Sequence, residues 1–410
     1  MNSGEIVTSS LIGHRPFVFY WLSRVSATVA LQMQAVAIGW QMYDMTRNPL
    51  DLGLVGLFHF IPAAALVLVA GHLADRHDRR LLVRTCQFVA GCASATLAFG
   101  TASGWLTRDS LLLIVLVVGA ARSIEQTTQQ TLLPGVVPLK LLARATAASS
   151  SATQLAVIFG PALGGLLYAV SPVLVYVLCC TLWIVAGLSV GLIRIERTPP
   201  AREPVSVAVL LAGFDYIRRN PIVLGAIGLD LFAVLLGGAL ALLPVFARDI
   251  LHTESWGLGF LRAAPGIGAL LMALVLTRWQ AHKHVGRIIF TAVTVFGASV
   301  LVFSLSRSFA LSMAALACMG AADMINVVIR MTLVQLQTPD EMRGRVSAAN
   351  SLFVIASNQL GEFRAGLAAA WLGAVNAVML GGACILLVVA LGRKAFPELY
   401  AVETLEPPRR

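Results

Sequence analysis

The chain has 410 residues, of which 58% are apolar and only 12% charged, and its formal net charge is +10. Soluble globular proteins carry about 25% charged residues, so this composition excludes a soluble enzyme, a disordered chain and a small secreted disulfide scaffold. A bilayer core about 30 Å thick needs about 20 apolar residues per spanning helix, and the apolar content is enough for twelve such helices with little left for a soluble domain.

In chain order, the first fifteen residues are polar, with no apolar stretch before a small-residue cleavage site, so no cleaved signal peptide is expected. Apolar runs separated by charged or turn clusters then predict spans at 17–43, 51–73, 81–101, 110–134, 143–169 and 173–193. A second set follows at 221–246, 256–277, 286–305, 309–336, 347–371 and 374–392. The longest connection, 194–220, is broken by Pro199, Pro200 and Pro204. It then repeats Val207, Leu210, Leu211, Phe214 and Ile217 at helical spacing, the pattern of an amphipathic helix on a membrane surface. A passive strap between the halves fits the same pattern. The tail from Glu403 is polar and expected to be disordered. Cys86, Cys92, Cys179, Cys180, Cys318 and Cys384 lie in apolar runs without metal-ligand spacing and read as small buried hydrophobes. No metal and no cofactor is expected.

The 30 basic residues sort by side. The N-terminus and every second connection hold 21 of them, and the opposite connections hold four: Arg47, Arg108, Arg248 and Arg307. The remaining five, Arg24, Arg122, Arg262, Arg330 and Arg364, lie within spans. This asymmetry predicts an even number of spans with both termini in the cytoplasm.

The halves repeat. Gly119-Ala120-Ala121 matches Gly320-Ala321-Ala322, and Thr131-Leu132 matches Thr332-Leu333. Pro138, Arg144 and Gly160 match Pro339, Arg345 and Gly361, all at an offset of 201 residues. Gly56 and Pro62 match Gly259 and Pro265 at an offset of 203. The expected fold is an all-α membrane protein. Its twelve transmembrane helices form two six-helix bundles related by a pseudo-twofold axis along the membrane normal, with a site between them near the midplane. The expected divisions are a first bundle at 1–193, a linker with its amphipathic helix at 194–220, a second bundle at 221–395 and a cytoplasmic tail at 396–410.

After span 2 comes Gly71-His72-Leu73-Ala74-Asp75-Arg76-His77-Asp78-Arg79-Arg80. The segment resembles the signature loop between helices 2 and 3 of the major facilitator superfamily. The resemblance implies a gate in which Asp75 meets the start of helix 11, with Gly71, Leu73, Arg76, Arg79 and Arg80 completing the loop. The family glycine at the eighth position is Asp78 here. Span 5 contains Gly160-Pro161-Ala162-Leu163-Gly164-Gly165. This resembles the helix 5 element of the superfamily's antiporters and implies export, with helix packing by small residues as the plainer reading. Leu210 to Phe214 and Gln335 to Arg345 resemble the branch that includes the enterobactin exporter and macrolide-efflux-like proteins.

Ionisable residues within spans are costly and mark functional sites. On span 4, Arg122, Glu125, Gln126 and Gln129 share one stripe. On span 10, Asp323, Asn326 and Arg330 do the same, and the 201 offset superposes the two stripes. Arg24, Gln34 and Gln41 on span 1, Asp230 on span 7, and Asn358 and Glu362 on span 11 complete the set. The resemblance implies that helices 1, 4, 7 and 10 line the substrate and proton cavity. Arg122 and Glu125 also fit a closed intrahelical pair. Asp230 has no charged partner on its own helix and is expected to be an unpaired proton carrier or a hydrogen-bonded structural acid. Arg262 is expected near the outer headgroups, Arg364 beside another neighbour or snorkelling, and His59 as a satisfied core histidine.

The function expected is a proton-driven exporter of an amphipathic small molecule, a siderophore or drug-like compound, in a bacterial inner membrane. An uptake symporter and a non-transporting membrane protein are the alternatives. No phosphate-binding loop or catalytic constellation is present in the sequence. The expected partners are a small-molecule substrate, protons and membrane lipid; nucleic acid is not expected, and the protein is expected to be a monomer.

Overall fold

The computed structural model describes residues 11–193, 207–278 and 283–404, with the side chains of some helical residues, 67–76 and 207–210 among them, outside the described set. Every regular element in it is helical. Twelve long segments follow the predicted spans and are numbered accordingly. Spans 1 to 6 are Arg15–Thr46, Pro49–Arg76, Arg79–Ser103, Arg108–Val136, Leu139–Val170 and Pro172–Gly191. Span 7 runs from Pro221 to Ile250, and spans 8 to 12 are Ser255–Arg278, Val285–Leu305, Phe309–Gln337, Asp340–Leu372 and Ala374–Ala395.

The ends are set locally. Proline opens the first turn of spans 1, 6 and 7, where a missing N–H costs nothing. Thr107 and Ser110 form a reciprocal capping box at span 4, and Asn220 accepts from the N–H groups of Ile222 and Val223 at span 7. Asp78 caps span 3 by accepting from Arg80 N at 2.9 Å. Its φ of −59° shows why this turn works without the family glycine.

Ten of these helices are long and apolar enough to cross a bilayer on composition alone. Spans 1 and 11, 32 and 33 residues long, are the two below that standard. Their polar residues include Arg24, Gln34 and Gln41 on one and Asn358, Glu362 and Arg364 on the other.

Packing repeats with the sequence. In the first half, span 1 packs on 5 and 6, span 2 on 4, and span 3 on 4 and 6. In the second, span 7 packs on 11 and 12, span 8 on 10, and span 9 on 10 and 12. The halves meet along two equivalent seams, span 5 against span 8 and span 2 against span 11. Small residues permit this approach: a Cβ on Gly165 would stand 2.8 Å from Gly259 Cα, and one on Gly366 would stand 2.7 Å from Gly53 Cα.

Three features differ from the sequence expectation. Span 7 is not continuous: it stops at Gly237, turns through Gly238 at φ +42°, and goes on as short irregular helical turns to Ile250. A Cβ at Gly238 would lie 2.8 Å from Gly361 O, so span 11 presses directly on the break. The carbonyls left open there are capped by Arg364, which donates from Nε to Leu235 O at 2.9 Å and from Nη2 to Leu236 O. Second, the linker helix Val207–Arg219 docks on the second bundle. Gly213 meets the Arg345 backbone, the Phe214 and Phe353 rings lie 4.9 Å apart, and Ile217 is buried, while Leu211 stays exposed. The prolines at 199, 200 and 204 and the tail beyond Thr404 lie outside the described residues. Third, Cys92 and Cys318 are exposed rather than buried, and all six cysteines are free thiols.

Candidate functional site

The first bundle gathers its polar residues around Glu125. Arg122 Nη1 donates to Glu125 Oε2 at 2.9 Å, and Gln87 Nε2 donates to Glu125 Oε1 at 2.9 Å. Ser23 closes the group at 3.0 Å from Gln87. Glu125 is 2% exposed, so the i,i+3 pair anticipated on span 4 is closed and tied to spans 1 and 3. Arg24 donates to Tyr20 at 2.9 Å and to Thr153 of span 5 at 3.1 Å. Gln34 accepts from Ser94 and Trp183, and Gln41 accepts from Tyr176, so these two bind spans 3 and 6 within the bundle. Gln126 is exposed, while Gln129 is buried with its Nε2 unpaired among the described residues.

The second bundle places spans 7, 10 and 11 around Arg330. Asp230 is not alone: Arg330 Nη2 lies 3.2 Å from its Oδ2, and Asn326 Nδ2 donates to its Oδ1 at 2.6 Å. Arg330 Nη1 also donates to Asn350 Oδ1 at 3.0 Å. Of the two readings of Asp230 the hydrogen-bonded acid is the one found, with its partners on span 10, three helices away in sequence. Asp323, in turn, has no hydrogen bond or ion pair within 4.0 Å among the described residues. It lines, with Asp230 and Asn326, a small cavity of about 10 Å³, room for about one water, whose other walls include Ala292, Val293 and Phe296 of span 9. Arg330 Nε and Asn326 Oδ1 are buried without partners among the described residues. Two carboxylates therefore face one guanidinium beside a cavity.

Between the bundles, Glu362 of span 11 packs on Gly56 of span 2, where an added Cβ would stand 2.8 Å from Glu362 Oε2. Asn358 is exposed and donates to Val354 O at 2.8 Å. Arg262 lies seven residues into span 8, within electrostatic reach of Glu362. On span 5 the Gly-Pro element divides its faces. Gly160 and Gly164 approach Gln32 and Met33 of span 1, while Pro161 and Gly165 approach Gly259 of span 8. Ser255 Oγ donates to Gly165 O across the same seam at 3.0 Å.

The face opposite the termini is tied shut between bundles. Arg248 pairs with Asp44, Tyr43 donates to Asp249, and Arg47 stands 3.6 Å from Asp249. On the terminal face, Gly71, Leu73, Asp75 and Arg76 end the span 2 helix, and their side chains, with the expected contact of Asp75 to span 11, lie outside the described residues. Arg80 donates to Ile193 O at 2.9 Å and pairs with Asp78 at 2.8 Å, holding the Asp78 carboxyl below its ordinary range. Arg79 follows at the start of span 3.

Sequence reasoning misses Ser23, Gln87, Asn350 and the Asp44–Arg248 tie. A polar residue amid apolar neighbours, as Gln87 is on span 3, is the available signal. The tie has none beyond opposite charge.

Two bundles of six helices, joined along equivalent seams and carrying buried charges toward their interior, define a major facilitator transporter. The chain matches the family described as transmembrane secretion effector, within that superfamily, over residues 8–406 and belongs to it. It is a multi-pass membrane protein of a transporter family rather than an enzyme. It is 27% identical over 380 residues to the enterobactin exporter EntS of Shigella boydii serotype 4, covering 90% of this chain and 88% of the relative. The EntS protein of Escherichia coli O1:K1 is 27% identical over 377 residues, with the same shares covered. Among solved structures, a variant of the nucleoside transporter NupG aligns with a TM-score of 0.73 at 12% identity, covering 93% of this chain and all of that one. A bacterial homologue of the iron transporter ferroportin, in an inward-facing state, aligns at 0.71 with 17% identity, covering 96% and 100%.

Proposed function

We propose that the protein is a proton-driven exporter of a siderophore-class amphipathic compound in a bacterial inner membrane. In this reading the bodies 1–193 and 221–395 rock about the two seams, and the basic terminal face is cytoplasmic. The closed face is then the outer one. The relatives that export enterobactin support the substrate class.

The observation that carries the coupling is the placement of Asp230 and Asp323 against the single Arg330. A cluster with one carboxylate more than its cations changes from charged to neutral on gaining one proton. Moving such a charge across the membrane is worth about 2.3 kcal/mol per 100 mV. Rocking that separates Arg330 from either acid gives the two access states different proton affinities, as coupling requires. The first-bundle stripe, with Arg24, Arg122, Glu125, Gln126 and Gln129, supplies the opposite wall of the path. The loop from Gly71 to Arg80 is the gate on the cytoplasmic side. The protein works as a monomer within lipid.

The test is excretion. A deletion strain should retain its catecholate siderophore inside the cell, and the wild-type gene should restore release. Normal release from the deletion strain, with no other exporter induced, would remove the siderophore reading.

A further inference from the structure

Arg262 is the one intramembrane arginine whose charge no contact explains among the described residues. Arg24, Arg122, Arg330 and Arg364 each have hydrogen-bond partners. Arg262 has neither a hydrogen bond nor an ion pair among the described residues. It lies seven residues into span 8, about 10 Å below the helix start, too deep to be a terminal residue. Its side chain is only partly buried, although span 8 packs on spans 5 and 10.

The direction of that side chain follows from helical spacing. Gly259, Arg262 and Gly266 stand at i, i+3 and i+7 and share a face. Gly259 meets Pro161 and Gly165, and Gly266 meets Ile158, all on span 5. Arg262 therefore lies on the seam between bundles. Glu362 holds the corresponding place on the other seam, four residues before Gly366, which meets Gly53 of span 2. The two charges act on each other electrostatically, yet they are more than 4.0 Å apart and form no ion pair. Each seam between the bundles thus carries one charge, a cation on one and an anion on the other.

We propose that Arg262 is an anion-recognition subsite on the transport path, taking a carboxylate or catecholate oxygen of the substrate, with Glu362 the opposing charge that limits how tightly the anion is held. An unpaired guanidinium with five donors in a fixed fork is suited to such oxygens. The seam position means that rocking of the bundles changes the distance between Arg262 and Glu362, so the anion is bound in one access state and released in the other. This inference rests on the export reading above.

The test uses the purified full chain and two xanthene dyes of one skeleton, fluorescein with its free carboxylate and rhodamine 6G, its cationic ester counterpart. Wild type is expected to bind fluorescein more tightly. Arg262→Gln should lose about tenfold or more of that affinity, the scale of a charged hydrogen bond, while rhodamine 6G binding is kept or improved. Arg262→Lys should keep part of the fluorescein affinity, and Glu362→Gln should raise it. Wild-type protein that fails to bind fluorescein, or an Arg262→Gln variant that keeps the wild-type preference, overturns the subsite. Dye discrimination that depends on Arg262 in a protein that does not export enterobactin leaves the subsite standing and removes only the siderophore reading.

Discussion

Spans 4 and 10 hold equivalent places in the two bundles, and their polar stripes superpose at an offset of 201 residues. The clusters built on them differ in charge arithmetic. On span 4, one carboxylate meets one guanidinium: Glu125 is matched by Arg122 and further held by Gln87. On span 10, Arg330 faces both Asp230, which it touches, and Asp323, which it does not. The Glu125 cluster is closed, while the second has a spare acid beside a small cavity. In the proposed reading the same architecture provides a fixed bolt in one half and a proton-carrying group in the other.

The comparison can be broken most severely at Arg330. Arg330→Gln leaves two carboxylates facing each other without a cation, and should cost about 3–5 kcal/mol of stability, the usual cost of unpairing a buried charge. Thermal unfolding in detergent measures it, and adding Asp230→Asn should recover a large part. Glu125→Gln keeps a neutral acceptor for Gln87 and should cost about 1–3 kcal/mol while leaving the pH dependence of transport in place. A Glu125→Gln variant that folds normally and loses that pH dependence would erase the distinction between the halves.

Smaller effects lie at the two faces. Asp44→Asn removes an ion pair that is partly open to solvent, so it should shift the closed face opposite the termini toward opening by only about two- to fivefold. Cysteine cross-linking between spans 1 and 7 measures that shift. Asp78→Ala removes the span 3 cap and should cost under about 1 kcal/mol, screened by solvent. Because Arg80 holds the Asp78 carboxyl low, its contribution is complete above the unfolded carboxylate range near pH 4 and is lost as pH falls through the lower folded value. The difference between wild type and Asp78→Ala should therefore vanish on acidification.

The spans are legible in the sequence because a bilayer demands long apolar runs, and the repeat because a constant offset survives where single matches do not. The Arg122–Glu125 pair is legible because i,i+3 spacing is local. Asp230 is not, because its partners sit about a hundred residues on, at Asn326 and Arg330, and only packing of span 7 on span 10 brings them together. The break in span 7 has a glycine pair, Gly237-Gly238, as its only mark, and its cap comes from Arg364 on span 11. For Arg262 the sequence offers depth alone. The stripe it shares with Gly259 and Gly266 places it on the seam once span 5 is known to lie there.

Substrate-stimulated proton movement in proteoliposomes tests the division of labour between the bundles most directly, with wild type, Asp323→Asn and Glu125→Gln compared at matched insertion. Wild type and Glu125→Gln are expected to move protons on addition of enterobactin, and Asp323→Asn is expected to fall to the background of empty liposomes. Unchanged proton movement in Asp323→Asn would contradict a proton carrier in the second bundle.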